Sequence, residues 1–291
     1  MTWPELPYEE WRTTRDTLHM YVQVVGKLRL ALSPFEPQWG HVPFYLTSRG
    51  LTTSPLPVGD RTFDAEFDLV EHELVLRASD GVTERRPLGG AVADFYADVM
   101  GMLQRMDVKV AITPLPSEVT NPIPFPEDRT HDTYVPEHSN RFFRVLSEVD
   151  SVCKEHRARF RGKTSPVQFF WGTFDLSLAR YSGRSVKPPT NRGSIMRVSG
   201  DAEVICAGWW PGDEHRPEPS FFAYGYPRPG GIEAASIAPA AAAWSEVAGE
   251  FLLPYDAVRS AADPRQAIHQ FLDTTYSAAA GIMSWDGGLI S

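Results

Sequence analysis

Ser165-Pro-Val-Gln-Phe-Phe-Trp-Gly-Thr-Phe-Asp-Leu-Ser-Leu-Ala-Arg-Tyr-Ser-Gly-Arg184 is the stretch on which the reading of this chain turns. Its residues alternate with the period of two expected of a strand. Phe170, Phe174, Leu176 and Leu178 fall on one face, with Gly172 among them, and that face belongs in a core. The other face carries Phe169 and Trp171, then turns polar through Thr173, Asp175 and Ser177. An aromatic-to-polar face suits the wall of a ligand pocket, and equally a strand that emerges into water. Asp175 carries the most information, because an unpaired carboxylate buried in an apolar strand is strongly unfavourable. It must be wet or paired with a donor, and Arg49, Arg159, Lys163 and Arg180 are the candidates.

Outward from that stretch, a helix is predicted on its N-terminal side from about Pro136 to Arg161, with Phe142, Leu146, Val149, Cys153 and Phe160 inward. On its C-terminal side, Val204–Trp210 and Phe221–Tyr226 read as strands, Pro239–Ala248 as a small Ala-rich helix, and Asp263-Pro264 as the N-cap and first residue of a last helix. In the first half, Tyr8–Ser33 reads as a long helix with Trp11, Leu18, Val22, Val25, Leu28 and Leu32 on one stripe. Another line on it carries His19, Gln23 and Lys27 at i, i+4 and i+8. Strands are expected over Gly40–Arg49, Thr62–Leu69, Glu73–Ala78, Val82–Leu88 and Val108–Thr113, with Asp80-Gly81 as a turn and Ala91–Met106 as a helix. The Pro-dense stretch Pro114–Pro126 reads as an extended linker.

These elements predict an α+β protein of two similar halves, 1–125 and 126–291, each a long helix, an antiparallel sheet and a second helix. The halves also share an order of features that points to a pseudo-two-fold repeat. Gly26-Lys27 and Gly162-Lys163 would match at the helix ends, and Trp39-Gly40 would match Trp171-Gly172. A cleft between the halves would then be the natural ligand site.

The chain has 291 residues with a formal net charge of −9, which argues against general nucleic-acid binding. Eight Trp, sixteen Phe and ten Tyr suit thick cores or aromatic-lined clefts. Two cysteines, Cys153 and Cys206, lack metal-type spacing and imply no disulfide framework. No signal-peptide pattern or membrane-length apolar run is present, so a cytoplasmic protein is the expectation. No cofactor fingerprint, Walker loop, nucleophile elbow or zinc-protease motif occurs.

Candidate site residues are therefore chosen by chemistry. Arg49, Lys27, Arg159, Lys163 and Arg180 would supply positive charge for an anionic small molecule, and Trp39, Tyr45 and Trp171 would supply ring surfaces. If the protein is an enzyme, His19 or His41 would be the acid or base, with Asp175 or Glu155 orienting it. The rival class is a non-catalytic interaction module that docks a protein on aromatic surface and Pro-rich loops. The reaction and the oligomeric state are not legible.

Thr17-Leu18-His19, Gly26-Lys27, His41-Val42, Arg49-Gly-Leu-Thr-Thr-Ser-Pro55 and Ser165-Pro-Val-Gln-Phe-Phe-Trp-Gly-Thr-Phe-Asp-Leu176 together resemble a bacterial family catalogued only as a domain of unknown function. Trp210-Pro211-Gly212 and Phe251-Leu-Leu-Pro-Tyr255 fit the same pattern, so the resemblance spans nearly the whole chain. The pattern carries His where this sequence has Gln168. It implies no activity.

Overall fold

The computed structural model describes residues 3–190 and 193–290. The described residues form six α-helices and two six-stranded sheets, all of whose pairings are antiparallel. The chain is thus α+β. It opens with helix α1 (Tyr8–Leu32), followed by β1 (Tyr45–Leu46), β2 (Gly50–Thr52), β3 (Leu56–Val58), β4 (Arg61–Asp68), β5 (Glu73–Ala78) and β6 (Thr83–Pro87). Helix α2 (Val92–Arg105) and helix α3 (Pro136–Ala158) flank the Pro-rich connection. Then come β7 (Gln168–Phe170), β8 (Asp175–Ser185), the short α4 (Ser194–Ser199), β9 (Ala202–Trp210) and β10 (Ser220–Tyr226). The chain closes with β11 (Ala243–Ser245), β12 (Glu250–Pro254), α5 (Tyr255–Arg259) and α6 (Pro264–Ile282).

The first sheet has the order β1-β2-β4-β5-β6 with β3 also on β4, and the second has the order β11-β12-β10-β9-β8-β7. They meet edge to edge: Phe44 and Phe169 exchange two backbone hydrogen bonds of 2.8 and 2.9 Å. One apolar core runs through both halves, from Leu18 and Val25 through Phe67 and Phe95 to Phe142, Trp209 and Phe271.

Helix α1 is central. Leu18, Val22, Val25 and Leu28 are fully buried as the stripe predicts, but so are Tyr21 and Val24, and Thr14, His19, Gln23, Lys27 and Arg29 are buried with them. A helix covered all round must satisfy its polar side chains internally. Thr14 Oγ1 accepts from the Val135 N–H at 3.1 Å, and Arg29 donates to the Thr53 carbonyl. The His19/Gln23/Lys27 line is therefore interior, and its partners position the site.

Several local expectations change. Ser165–Arg184 is a hairpin, because Trp171–Phe174 forms a tight turn closed by Phe174 N–H donating to Phe170 O at 2.7 Å. Phe174 adopts φ 63° there and stacks on Phe142 at 5.2 Å, so core packing holds a backbone conformation that side chains disfavour. The turn also swaps the faces: Phe170 pairs with Asp175 and Phe169 with Leu176. Gly40–Arg49 shrinks to the two residues of β1, preceded by a 3₁₀ turn at Pro37–Trp39. Val108–Thr113 forms no strand, and Pro239–Ala248 is turn plus β11 rather than helix. Asp263 caps α6 as expected, accepting from the Gln266 N–H at 3.0 Å.

The repeat lacks equivalent anchors. Gly26 lies inside α1 and Gly162 beyond the end of α3. Trp39 is in a 3₁₀ turn and Trp171 in a hairpin turn.

Candidate functional site

One face of the second sheet packs on the helices through Phe169, Leu176, Ile205, Trp209, Phe221 and Phe251, all buried. The opposite face, one residue out of phase on each strand, lines a cavity of about 540 Å³. From β7 and β8 it receives Gln168, Phe170, Asp175, Ser177 and Tyr181. From β9 and β10 come Cys206, Trp210, Phe222, Tyr224 and Tyr226, and from β12 comes Glu250. Trp39, Met196, Arg216, Ala248 and Glu118 complete the rim. The Trp39 indole N–H donates to the Ile195 carbonyl at 3.1 Å, and Gln38 donates to Asp201 at 2.8 Å, tying the 3₁₀ turn to α4 and its exit.

The α1 polar line builds the other rim. Gln23 grips Ser117 twice, donating to its carbonyl at 2.7 Å and accepting from its N–H at 3.0 Å. Lys27 Nζ donates to Ser117 Oγ at 2.9 Å and lies 5.8 Å from the Trp171 ring centre. His19 Nε2 donates towards the carbonyls of Trp171 and Gly172, at 3.1 and 3.0 Å. Burial first, then the nearby Arg15, drives its pKa down to about 3, so the ring is neutral. Two loops are thus fastened to one helix face, and they bring Glu118 across Gly172. Glycine gives the Glu118 carboxylate room at that crossing, where a Cβ on residue 172 would make the Glu118 side chain swing aside. Gly26 answers a second close approach, because the Trp171 ring lies directly on the α1 backbone. Glu118 itself holds φ 58°, a conformation the grip on Ser117 sustains.

The cavity is acidic. Asp175 is only 8% exposed and accepts hydrogen bonds from the Thr173 and Ser177 hydroxyls, with no basic side chain as partner among the described residues. Burial pushes its pKa up to about 6. Burial pushes Glu250 up to about 7 against the pull of Arg216 at 3.9 Å, with a smaller upward push from the Asp175 charge. Glu118 is open to the cavity yet crowded by protein atoms, which raise its pKa together with the Asp175 charge. The Tyr224 hydroxyl and the Cys206 thiol are hydrogen-bonded neighbours. Burial lifts the thiol to about 12, and the tyrosine is held well above its ordinary value by Cys206 and burial, so both stay protonated. Gln168 is 6% exposed, and its amide meets no hydrogen-bond partner among the described residues. No group of three or more His, Cys, Asp or Glu side chains among the described residues is arranged to hold a metal ion.

Of the residues expected from sequence, Asp175 and Trp39 line this cavity, with Thr173 and Ser177 beside them. The others do not converge on it. His19, Lys27 and Trp171 act from behind as scaffold, the Trp171 indole donating to the Val42 carbonyl at 3.0 Å. His41 Nδ1 accepts from the Glu36 N–H at 3.1 Å and stacks on Trp39, with its pKa lowered by burial. Tyr45 lies against Arg29 in the first sheet. Arg49 is bound to Asp68 and to Glu71 at 3.4 Å, on β2's side of the molecule, so the shared cavity expected for Arg49 and Asp175 does not exist. Arg159 pairs with Asp273 at 2.9 Å, and Glu155 pairs at the surface with Arg265 and His269. Lys163 reaches Gln38 at 3.3 Å behind the rim. Arg180 faces the helices, 5.1 and 4.7 Å from the Phe160 and Tyr276 ring centres, and burial lowers its pKa to about 10. These cations were grouped because strand and helix periodicity says which residues share a face, while saying nothing of which faces meet.

Glu118, Glu250, Cys206, Tyr224 and Arg216 went unnoticed in the sequence. Alternation groups Cys206 with Val204 and Trp210, and Tyr224 with Phe222 and Tyr226, but only the register of β9 and β10 puts the two sets on one face, and nothing local distinguishes Glu118 or Glu250.

The chain belongs to a family of unknown function, DUF5996, whose model matches residues 3–291. Neither the curated proteins nor the solved structures yielded a match. No helix among the described residues is long and apolar enough to cross a membrane.

Proposed function

We propose that this protein binds a small organic molecule in the cavity of the second sheet and moves protons on it with Asp175 and Glu250. The observation that carries the reading is Asp175, a buried carboxyl on the cavity wall with two hydroxyls and its own backbone N–H as partners and no cation among the described residues. A fold keeps such a group, at a cost in stability, where a ligand or reaction uses it. Carboxyls that exchange their protons near neutrality can act as general acid and general base in turn. The cavity's size falls within the range of small-molecule sites, and its aromatic walls supply apolar contact.

The rival reading, a protein-docking aromatic surface, has less support. Among the described large apolar residues exposed to solvent, only Phe35 and Tyr224 are aromatic, and Tyr224 opens into the cavity. Ala179→Trp, on the cavity face of β8, tests the reading by filling the space from the sheet side. Fragments found by thermal shift should stabilise the wild type and lose their effect in Ala179→Trp. Hits that stabilise both proteins equally would end the proposal.

A further inference from the structure

The charge balance of the cavity says more about its occupant. Three carboxyls, Asp175, Glu118 and Glu250, line one space. Arg216 is the one basic residue among the described lining residues, and it stands 3.9 Å from Glu250 alone. Glu118 makes no hydrogen bond or ion pair among the described residues. Behind the rim, Lys163 is engaged with Gln38 and lies 5.1 Å from the Tyr181 ring centre, and Lys27 is engaged with Ser117 Oγ at 2.9 Å.

A cluster of acids alone could be a solvated face. The Gln168 amide argues otherwise. It is nine-tenths buried and lines the same cavity with neither its N–H groups nor its carbonyl matched by protein. Buried amides are almost always satisfied, so an unmatched one directed into a cavity marks a position that a ligand or water completes. Around these groups stand Phe170, Trp210, Phe222, Tyr224 and Tyr226, and Trp39 covers one end. Ring faces carry negative quadrupole charge, so aromatic walls and carboxylates favour the same kind of guest.

We infer that the cavity selects an organic ammonium ion with a flat apolar body, its nitrogen held among Asp175, Glu118 and Glu250 and its body against the aromatic walls. The Gln168 carbonyl supplies a further acceptor for an N–H of the guest. The inference rests on the pocket reading above and reverses the sign of ligand expected from the sequence, because the cations that motivated an anionic guest lie elsewhere.

Three probes of nearly equal shape and different charge test it by calorimetry at neutral pH: phenethylammonium, 2-phenylethanol and 3-phenylpropionate. The ammonium should bind at least about tenfold more tightly than the alcohol, and the carboxylate least. Glu118→Gln, at the rim, should weaken the ammonium several-fold more than the alcohol, and equal weakening of both would count against the charge assignment. Equal binding of ammonium and alcohol, both lost in Ala179→Trp, would overturn the charge assignment and leave the pocket standing. A preference for the carboxylate, or no saturable binding of the ammonium, would also overturn it.

Discussion

The two sheets treat their carboxylates in opposite ways. On β4 of the first sheet, Asp64, Glu66 and Asp68 form the acidic line that alternation reveals, and each is neutralised. Arg77 reaches Asp64 at 3.3 Å and Glu66 at 2.8 Å, while Asp68 takes Arg49 and the backbone N–H groups of Val70 and Glu71 at 3.0 and 2.9 Å. On the second sheet, Asp175 and Glu250 face a cavity in which Arg216 is their only cation among the described lining residues. Both Asp68 and Asp175 are nearly hidden from solvent, at 4% and 8% exposure, but Asp175 sits among more protein atoms, so desolvation acts harder on it. The partners differ as well. Asp68 is pushed up by burial but brought below its ordinary value by Arg49 and the two N–H groups. Asp175, with two hydroxyls and its own backbone N–H but no cation, stays at about 6. The first pattern is structural electrostatics; the second is the pattern of a site that leaves its charge for something else to answer.

The largest expected effect comes from removing the unanswered charge. Folded Asp175 keeps its proton up to about pH 6, whereas the unfolded side chain releases it near 3.8. Between those values the folded state binds more protons than the unfolded one, so stability falls as pH rises through that window and stays reduced above it. Asp175→Asn should therefore be more stable than wild type by about 3 kcal/mol at about pH 8, with the gain vanishing below about pH 4. Urea denaturation across pH checks both the size and the window. A destabilised variant would place Asp175 with the structural carboxylates.

Asp68→Ala is the converse. It takes one of two carboxylate partners from Arg49 and leaves two backbone N–H groups unmatched, and should cost about 2 kcal/mol by the same measurement. Because the folded pKa of Asp68 is depressed, its contribution is present above the unfolded value and is lost as pH falls, the opposite slope to Asp175. Gln168→Met should give the smallest change, within about 0.5 kcal/mol, because the amide opens to the cavity, where water can satisfy it, and the swap alters volume little. It should also weaken phenethylammonium binding. An unchanged affinity would remove Gln168 from the ligand's contacts.

Helices α1, α2, α3 and α6, the β4–β5–β6 meander and the Asp263 cap were legible because local periodicity and capping chemistry decide them. The hairpin in Ser165–Arg184 was hidden because the apolar rhythm runs through the turn: Phe174 is apolar for the core beneath the turn, not for a strand face. The His19/Gln23/Lys27 line was legible as a line, yet an isolated amphipathic helix assigns such a line to solvent. Only packing on every side of α1 turns it into a clamp for Ser117 and the Trp171–Gly172 turn. Asp175 could be singled out from its own strand. Glu118, in a Pro-rich connection, and Glu250, in a stretch whose neighbouring alanines imitate a helix, join it only through the folded chain.

The account stands on the carboxyls of the second sheet titrating apart from those of the first. Carbon-detected NMR of the Asp and Glu carboxyls through a pH titration reads this directly. The expected midpoints are about 6 for Asp175 and about 7 for Glu250, with Asp68 below 3.8. Midpoints for Asp175 and Glu250 near their ordinary values of 3.8 and 4.5 would contradict it.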